Sequence, residues 1–410
     1  MCLISVNTVA AISSNVYVLF CLLLLSPCSM KSAILATTFA VATTAAATWS
    51  LPGDIAAACT GVGASSATTA FVAAGSNSEG AEILKTSDSG KTFASLKSAG
   101  GFLLLDAGST SPTSAVINGL FGAQHTTDGT NFKGSVGGGG QGQSVEGFGK
   151  NSYGIAGSFG GNGVAVSTDG GATFTAHSAS AALDNQHPAR YGAYPSDTTW
   201  YVSAGAWPSN ANSPSDEKSV LLKHLNERVQ LRQDRATGNT FHKYLSMEEL
   251  GSPNNVTQYT GAIAKTTDGG KTFTKVFEQD GSFYFNGIHC STVDHCIAVA
   301  EGHNCANPGA HIFVTHDGGA HWNQTMFEAG AGAGIMGARM VSETEGWAAG
   351  GLGSNFAFEG QFWHTMDAGN TWAKNPLKGM LAMGLDCSDA AHCFAPGITT
   401  DRQGTVASYN

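Results

Sequence analysis

Three kinds of side chain in this sequence have the types and spacing to do chemistry. The first are carboxylates, because the chain holds 30 Asp and Glu residues against 20 Lys and Arg and glycoside hydrolysis needs two facing carboxyl groups. The second are cysteines close to histidines, which suit either disulfides or a metal. The third are arginines, of which Arg190 and Arg339 are the clearest binding candidates because arginine is scarce outside one charged segment. Ion pairs are the alternative explanation for both.

A short sequence motif, which we call the phrase, occurs six times and indicates the secondary-structure elements that must position these groups. In each copy an Asp is followed by small residues, and the copy ends in an aromatic residue after a Thr, Asn or His. Such an Asp accepts backbone N–H bonds in a tight turn, and Gly supplies the positive φ that the turn needs. Short apolar runs flank the copies, so each predicts a strand, an Asp turn and a second strand. The six copies are Thr86–Phe93, Thr126–Phe132, Ser167–Phe174, Thr266–Phe273, Thr315–Trp322 and Thr365–Trp372.

The phrase resembles the Asp box, or bacterial neuraminidase repeat. That resemblance implies that each copy joins the third and fourth strands of a β-propeller blade, on the outer side and away from the central channel. The aspartates would then be structural, and their spacings of 40, 41, 99, 49 and 50 residues suit four-stranded blades. They are Asp88, Asp128, Asp169, Asp268, Asp317 and Asp367.

The pattern around the turns predicts an all-β, seven-bladed propeller of four-stranded antiparallel blades. Strands of small residues ending in Gly lie between the turns and are expected to be second strands. Thr48–Pro52 matches the strand that follows a turn, and His392–Gly397 repeats the second-strand pattern without a turn after it. Pairing the two chain ends would close the ring and remove its exposed edges. Six and eight blades are the alternatives. The small-residue strands are Phe71–Gly75, Tyr153–Gly157, Trp200–Gly205, Cys296–Gly302 and Gly346–Gly350.

The cysteines favour an oxidising compartment. Cys290 and Cys296 have the same spacing as Cys387 and Cys393, at equivalent places in two blades. We therefore predict two local disulfides, with Cys59 and Cys305 as a possible third pair. The alternative is a metal site that uses nearby histidines, but structural zinc sites usually have closer cysteine spacing. We expect no metal and no cofactor.

The first 47 residues are interpreted as a targeting segment. Met30-Lys31, an apolar stretch and Ala45–Ala47 form a good signal peptide, which makes Met30 a better start than Met1. The earlier apolar run, Val16–Leu25, is too short to span a bilayer. We expect a secreted chain from Thr48, with sequons at Asn255 and Asn323 for glycosylation. The alternative is a plastid-type presequence and an organelle lumen.

Residues 48–410 are predicted to be one domain with a charged insertion at about 212–255. Repeat folds grow without splitting into separate cores. The insertion is much richer in charged residues than the rest of the chain, since only 12% of the whole chain is charged. We interpret it as a surface excursion of the fourth blade; a complete extra blade is the alternative.

Residue content argues against a sialidase. Sialidases hold the substrate carboxylate with three arginines, the first ahead of the first Asp box. Here no arginine precedes Arg190, and only Arg190, Arg339 and Arg402 lie outside the insertion. Lys does not replace bidentate guanidinium geometry. An enzyme is therefore not expected. The single propeller with an export signal resembles the photosystem II stability and assembly factor-like propellers.

The predicted function is a secreted, non-enzymatic binding module for a glycan or a protein, acting through loops around the channel. The alternatives are an Asp-box glycoside hydrolase and an assembly factor for a membrane complex such as photosystem II. A net charge of −10 argues against nucleic acid, and we expect a monomer without membrane insertion. Aromatic and polar side chains suit ligand contacts, although aromatic residues also fill cores. The candidates are Arg190, Tyr191, Tyr194, Trp207, Tyr284, His289 and Arg339.

Overall fold

A computed structural model gives the fold of this chain. It separates into two units, Met1–Ala46 and Ala47–Asn410, of which the second is the propeller. In the first unit, β1 (Thr8–Val9) and β2 (Phe20–Cys21) form an antiparallel pair. The described residues contain no helix with the length and apolar character to cross a membrane. The structure describes residues 8–9, 20–21, 47–53, 55, 58–77, 80–98, 104–119, 122–137, 142–157, 162–208, 256–303, 305–330, 333–354, 357–400 and 403–410.

Seven sheets form the propeller, as predicted, and their strand pairs are antiparallel apart from a short parallel pair at the outer edge of blade III. The four main strands of each blade pair in chain order, from the innermost strand outward. The seventh blade is completed by β3 (Trp49–Ser50) from the start of the domain. The first three blades are I, with β4 (Cys59–Ala64), β5 (Ala70–Asn77), β6 (Gly80–Thr86) and β7 (Ala94–Ser98); II, with β8 (Leu104–Ser111), β9 (Ser114–Gly119), β10 (Gly122–Thr126) and β11 (Lys133–Gly134); and III, with β13 (Ser144–Phe148), β14 (Ser152–Gly157), β15 (Gly163–Ser167) and β16 (Thr173–Ser178), to whose outer side β12 (Val136–Gly137) adds in parallel with β16.

The remaining blades repeat this order, and the small-residue strands predicted from sequence are second strands. In blade VII the innermost strand is split in two, since β29 and β30 both pair with β31. The strands are IV, with β17 (Ala189–Ala193), β18 (Trp200–Ala206), β19 (Thr260–Thr266) and β20 (Thr274–Glu278); V, with β21 (Tyr284–Cys290), β22 (Cys296–Gly302), β23 (Gly309–Thr315) and β24 (Asn323–Ala329); VI, with β25 (Ala333–Met340), β26 (Gly346–Ser354), β27 (Ala357–Thr365) and β28 (Ala373–Lys378); and VII, with β29 (Met380–Ala382), β30 (Asp386–Asp389), β31 (His392–Thr399) and β32 (Gly404–Tyr409).

Each Asp turn joins the third and fourth strands of its blade. In the first, the Thr86 hydroxyl donates to Asp88 at 2.9 Å and accepts the Gly90 N–H at 2.9 Å. Asp88 also accepts the backbone N–H and hydroxyl of Thr92 at 2.9 and 2.6 Å. His321 replaces this Thr in the fifth turn, where its Nδ1 lies 2.6 Å from Asp317. The turn is therefore a local network that its own residues specify.

These bonds predict an acid limit to stability. The hydroxyl and N–H of Thr92 lower the pKa of Asp88 to about 2, below the ~3.9 of an unfolded Asp. A depressed folded-state pKa contributes stability above the unfolded value, and that contribution is lost as pH falls through the folded value. We therefore expect the melting temperature to fall between about pH 4 and 2.

The variant Asp88→Asn isolates this effect. Its melting temperature should be lower than the wild type at pH 5 but should change less between pH 4 and 2, because it lacks the titrating group. Asp197→Asn, at an exposed aspartate, is the matched control and should follow the wild type. Thermal melts across this range measure the difference; parallel curves for Asp88→Asn and the wild type would contradict the prediction.

The buried apolar side chains lie mostly between neighbouring blades. One cluster joins Ala156 of blade III to Trp200 of blade IV, and similar clusters occur around the ring. Small residues make this packing possible. A Cβ added to Gly154 would lie 2.1 Å from the ring of Tyr194, so glycine there admits the aromatic ring of the next blade.

The two predicted local disulfides are present. Cys290–Cys296 joins β21 to β22, and Cys387–Cys393 joins β30 to β31. The suggested third pair is wrong: Cys59 and Cys305 are both thiols. Cys59 begins β4 in blade I, whereas Cys305 follows β22 in blade V and lies 3.0 Å from the Ser282 carbonyl oxygen. The two thiols belong to different blades. The spacing argument applies to two cysteines of one hairpin, so it gave no support to this pair.

The two ends of each blade carry different strand connections. We call the end with the Asp turns and the first-to-second strand turns the turn face, and the end with the blade-to-blade and second-to-third connections the loop face. The chain leaves β18 and enters β19 at the loop face, and these two strands pair directly. The insertion predicted between them, residues 212–255, lies outside the described residues.

Candidate functional site: a polar cavity in the channel

The innermost strands of the blades line a central channel that holds a polar cavity. Its volume is about 120 Å³, enough for several water molecules. The innermost strands of blades I and II approach each other closely beside it: a Cβ added to Gly61 would lie 2.4 Å from the Cα of Asp106. The charged residues and His of the wall are Asp106, Glu146, His289, Arg339 and Asp386.

Arg339 connects three blades across this cavity. Its Nη1 donates to Glu146 Oε1 of blade III at 3.0 Å, and its Nε lies 3.2 Å from Asp386 Oδ1 of blade VII. The Arg339 side chain is 26% exposed and that of Glu146 17%. Burial raises the pKa of Glu146, but His289 and Arg339 outweigh it, so the net pKa is below its usual value. Glu146 is therefore ionised at neutral pH.

His289 is held as a neutral imidazole. Its Nδ1 accepts the backbone N–H of Met340 at 3.1 Å, so the proton lies on Nε2, which is 3.2 Å from Glu146 Oε1. Burial and the charge of Arg339 lower the pKa of His289. The imidazole therefore donates to Glu146 without adding a positive charge.

Asp106 and Asp386 depend on backbone donors. Asp106 accepts the N–H groups of Ala107 and Val145, both at 2.9 Å. Asp386 accepts those of Cys387 at 2.9 Å and Ala64 at 2.8 Å. Burial raises the pKa of Asp106 to about 8, and the charges of Asp386 and Glu146 act in the same direction. Burial also raises the pKa of Asp386, against the effect of Arg339.

A second cluster surrounds Arg190, whose side chain is buried between blades IV and V. Its guanidinium carbon lies 4.9 Å from the Tyr284 ring centroid, 5.3 Å from Trp207 and 5.6 Å from Tyr191. Its Nε donates to the Phe285 carbonyl at 2.9 Å. Desolvated cation–π contacts of this kind are worth up to ~2 kcal/mol. This cage joins two blades, and Tyr191 extends from it to the cavity wall.

The sequence candidates therefore divide into three places. Arg190, Tyr191, Trp207 and Tyr284 form the cage, while His289 and Arg339 belong to the channel network. Tyr194 lies elsewhere: it is 4% exposed and stacks on Phe148 at 5.1 Å, within the packing between blades III and IV.

Sequence reasoning missed the three channel carboxylates, Asp106, Glu146 and Asp386. Each is an acidic residue in an otherwise small or apolar stretch just ahead of a second strand. Aligning the first strands of the blades on the second strands that follow would have drawn attention to them.

Within the part of the chain that the structure describes, one group of side chains brings three possible metal-ligand atoms close together. The candidate ligand atoms of His187, Glu278 and Asp280 lie within 4.8 Å of one another at the loop face. Both His187 ring nitrogens already have partners, however: Nδ1 lies 2.9 Å from Asp184 and Nε2 3.1 Å from Asp280. These hydrogen bonds of His187 link the loop that holds Asp184 to the loop that holds Asp280.

Comparisons with known proteins show the fold. No family model and no curated protein matches the sequence. Among solved structures, YCF48 bound to D1 peptide is 11% identical, with a TM-score of 0.50 over 88% of this chain and 96% of that one. YCF48 from Cyanidioschyzon merolae is 12% identical, with a TM-score of 0.52 over 88% and 98%. A polysaccharide lyase, the PL25 ulvan lyase bound to -[GlcA(1-4)Rha3S]-, is 9% identical, with a TM-score of 0.50 over 87% and 95%.

Proposed function

We propose that this propeller is a secreted, non-enzymatic binding module that receives part of a peptide or glycan in its channel. The proposal rests on the ion pairs that two of the channel carboxylates make with Arg339. A glycoside hydrolase needs two facing carboxyl groups that are available as acid and as base or nucleophile. Here Glu146 and Asp386 both bind Arg339, so neither is available without breaking an ion pair.

Ligands of both classes fit a propeller of this fold. A YCF48 structure carries a D1 peptide and the ulvan lyase carries an oligosaccharide, and polar groups in a concave site provide orientation and specificity. The likeness itself concerns the fold alone. A glycoside hydrolase and an assembly factor for a membrane complex such as photosystem II are the alternatives that the experiment below separates.

Export is the second part of the proposal. The disulfides Cys290–Cys296 and Cys387–Cys393 are typical of chains that fold in an oxidising compartment. Asn323 of the predicted sequon is exposed at the start of β24, where a glycan would have room. The targeting segment 1–47 completes this interpretation; an organelle lumen is the alternative address.

The experiment uses protein from Thr48 onward in three assays: a glycan array, a peptide array and a panel of chromogenic glycosides. We expect binding on one array and no turnover. Turnover that Asp106→Asn abolishes, while Glu343→Gln at an exposed site retains it, would overturn the proposal in favour of a hydrolase. Binding only to peptides from a membrane complex would support an assembly role.

A further inference from the structure

We propose that the channel cavity binds a cationic group, the ammonium or guanidinium of a lysine or arginine side chain in a peptide. This inference rests on the proposed binding function and names its ligand class. It begins from an imbalance of charge. Asp106, Glu146 and Asp386 line the cavity with Arg339 as the one guanidinium among its described wall residues, and His289 is neutral.

The imbalance is concentrated at Asp106. Among the described residues, no Lys, Arg or His nitrogen lies within 4.0 Å of its carboxylate, whereas Glu146 and Asp386 share Arg339. Its two hydrogen bonds come from uncharged backbone N–H groups. Glu146 is less open: its Oε2 makes no well-formed hydrogen bond within the described part of the chain, but the backbone N–H of Tyr194 also stabilises the ionised carboxyl and lowers its pKa. Buried carboxylates close to one another favour either a proton or a cation as a partner.

The geometry favours an organic cation over a bare metal ion. Metal coordination needs several ligand atoms that converge on one point. In the described ranges, the group that meets this condition is His187, Glu278 and Asp280 at the loop face, and the channel carboxylates form no such group. They stand around a cavity of about 120 Å³, where an extended ammonium or guanidinium group can reach more than one of them.

The rest of the wall suits the stem of a basic side chain. Val62, Met336 and Leu385 line the same cavity and offer apolar surface to methylene groups, and Tyr191 offers an aromatic ring. Lys and Arg bury their alkyl stems along such surface while the charged head meets a polar partner. A glycan carries neither an alkyl stem nor, in most cases, a cationic group.

The proposal predicts a pH dependence with a definite sign. The groups facing Asp106 are Glu146, Asp386, Tyr191, His289 and Arg339, while β4 contributes the non-titrating Thr60 and Val62. With burial raising the pKa of Asp106 to about 8, this carboxyl holds a proton for much of the time at neutral pH. A bound cation favours the ionised form, so binding releases a proton and tightens as pH rises toward 8.

The experiment is calorimetric titration of protein from Thr48 with acetylated, amidated tripeptides. Ala-Lys-Ala and Ala-Arg-Ala are compared with the neutral Ala-norleucine-Ala and the acidic Ala-Glu-Ala, at pH 6.5 and 8.5. We expect the basic peptides to bind about tenfold or more tightly than the neutral one, with affinity rising about tenfold between the two pH values. Asp106→Asn should remove the pH dependence and weaken binding at pH 8.5 by about tenfold, while Glu343→Gln should match the wild type.

Equal binding of the norleucine and lysine peptides, or affinity that falls with rising pH, would overturn this inference. So would calcium binding that Asp106→Asn abolishes without any affinity for the basic peptides, since the cavity would then be a metal site. If Asp106→Asn does not fold, the comparison of four peptides at two pH values on the wild type still decides whether the cavity prefers a cationic side chain. Capture of a neutral glycan on the array without any basic-peptide binding would retain the binding module and reject the cationic ligand.

Discussion

Replacing Arg339 by alanine is expected to lower the free energy of unfolding by about 2–4 kcal/mol at pH 8. Removing one partner of a buried ion pair typically costs 3–5 kcal/mol, because the remaining charge is left unpaired. Two carboxylates, Glu146 and Asp386, would be left here. The Arg339 side chain keeps 26% of its surface exposed, which places the expected loss toward the lower part of that range. Denaturant titration of protein from Thr48 measures it.

The same variant should recover stability as pH falls. Without Arg339, burial and mutual repulsion would raise the folded-state pKa values of the channel carboxyl groups above their unfolded values. The folded protein then binds more protons than the unfolded chain, so stability increases toward lower pH. We expect the deficit relative to the wild type to be clearly smaller at pH 5 than at pH 8. Lys150→Ala, at an exposed lysine, should stay within about 0.5 kcal/mol of the wild type. A deficit independent of pH would mean that lost packing dominates.

Replacing Trp49 by alanine is expected to cost about 2–4 kcal/mol, within the range for removing a large aromatic side chain from a core but reduced because the site is only partly buried. The Trp49 ring stacks on Phe362 with a centroid distance of 3.7 Å and lies 5.6 Å from Trp347 and 5.5 Å from Tyr409. Its strand, β3, closes blade VII through the pairs Trp49↔Tyr409 and Ser50↔Ser408. Losing the indole ring should therefore loosen the closure at blade VII, where β3 pairs with β32.

Two measurements test this prediction. Denaturant titration gives the loss of stability, and hydrogen exchange should accelerate more in β32 than in strands of blade IV, because β32 would lose β3, one of its two partner strands. Met366→Ala removes an exposed apolar side chain, 73% accessible, and is the matched control with an expected change below about 0.5 kcal/mol. Uniform acceleration across all blades, or unchanged exchange in β32, would argue that β3 does not hold the ring closed.

The sequence by itself determined the blades of this protein. Each Asp turn is specified by contacts within about four residues, such as Thr86 and Thr92 with Asp88, so the turn can be read locally and its repetition reveals the period. Ring closure followed from the strand-like match of Trp49 at one end and His392–Gly397 at the other. The two disulfides followed from equal cysteine spacing within single hairpins. All of these features depend on short-range chemistry or on repetition.

Only the tertiary structure decided the site. Arg339 and Glu146 form an ion pair across 193 residues of sequence, and Asp106, Glu146 and Asp386 meet because their blades face one channel. No local pattern encodes that meeting. Scarcity identified Arg190 and Arg339 as candidates, yet it could not show that one lies in an aromatic cage and the other between carboxylates. The charge balance of the cavity, and with it the pKa of Asp106, comes from burial and from residues of other blades, which are properties of the closed ring.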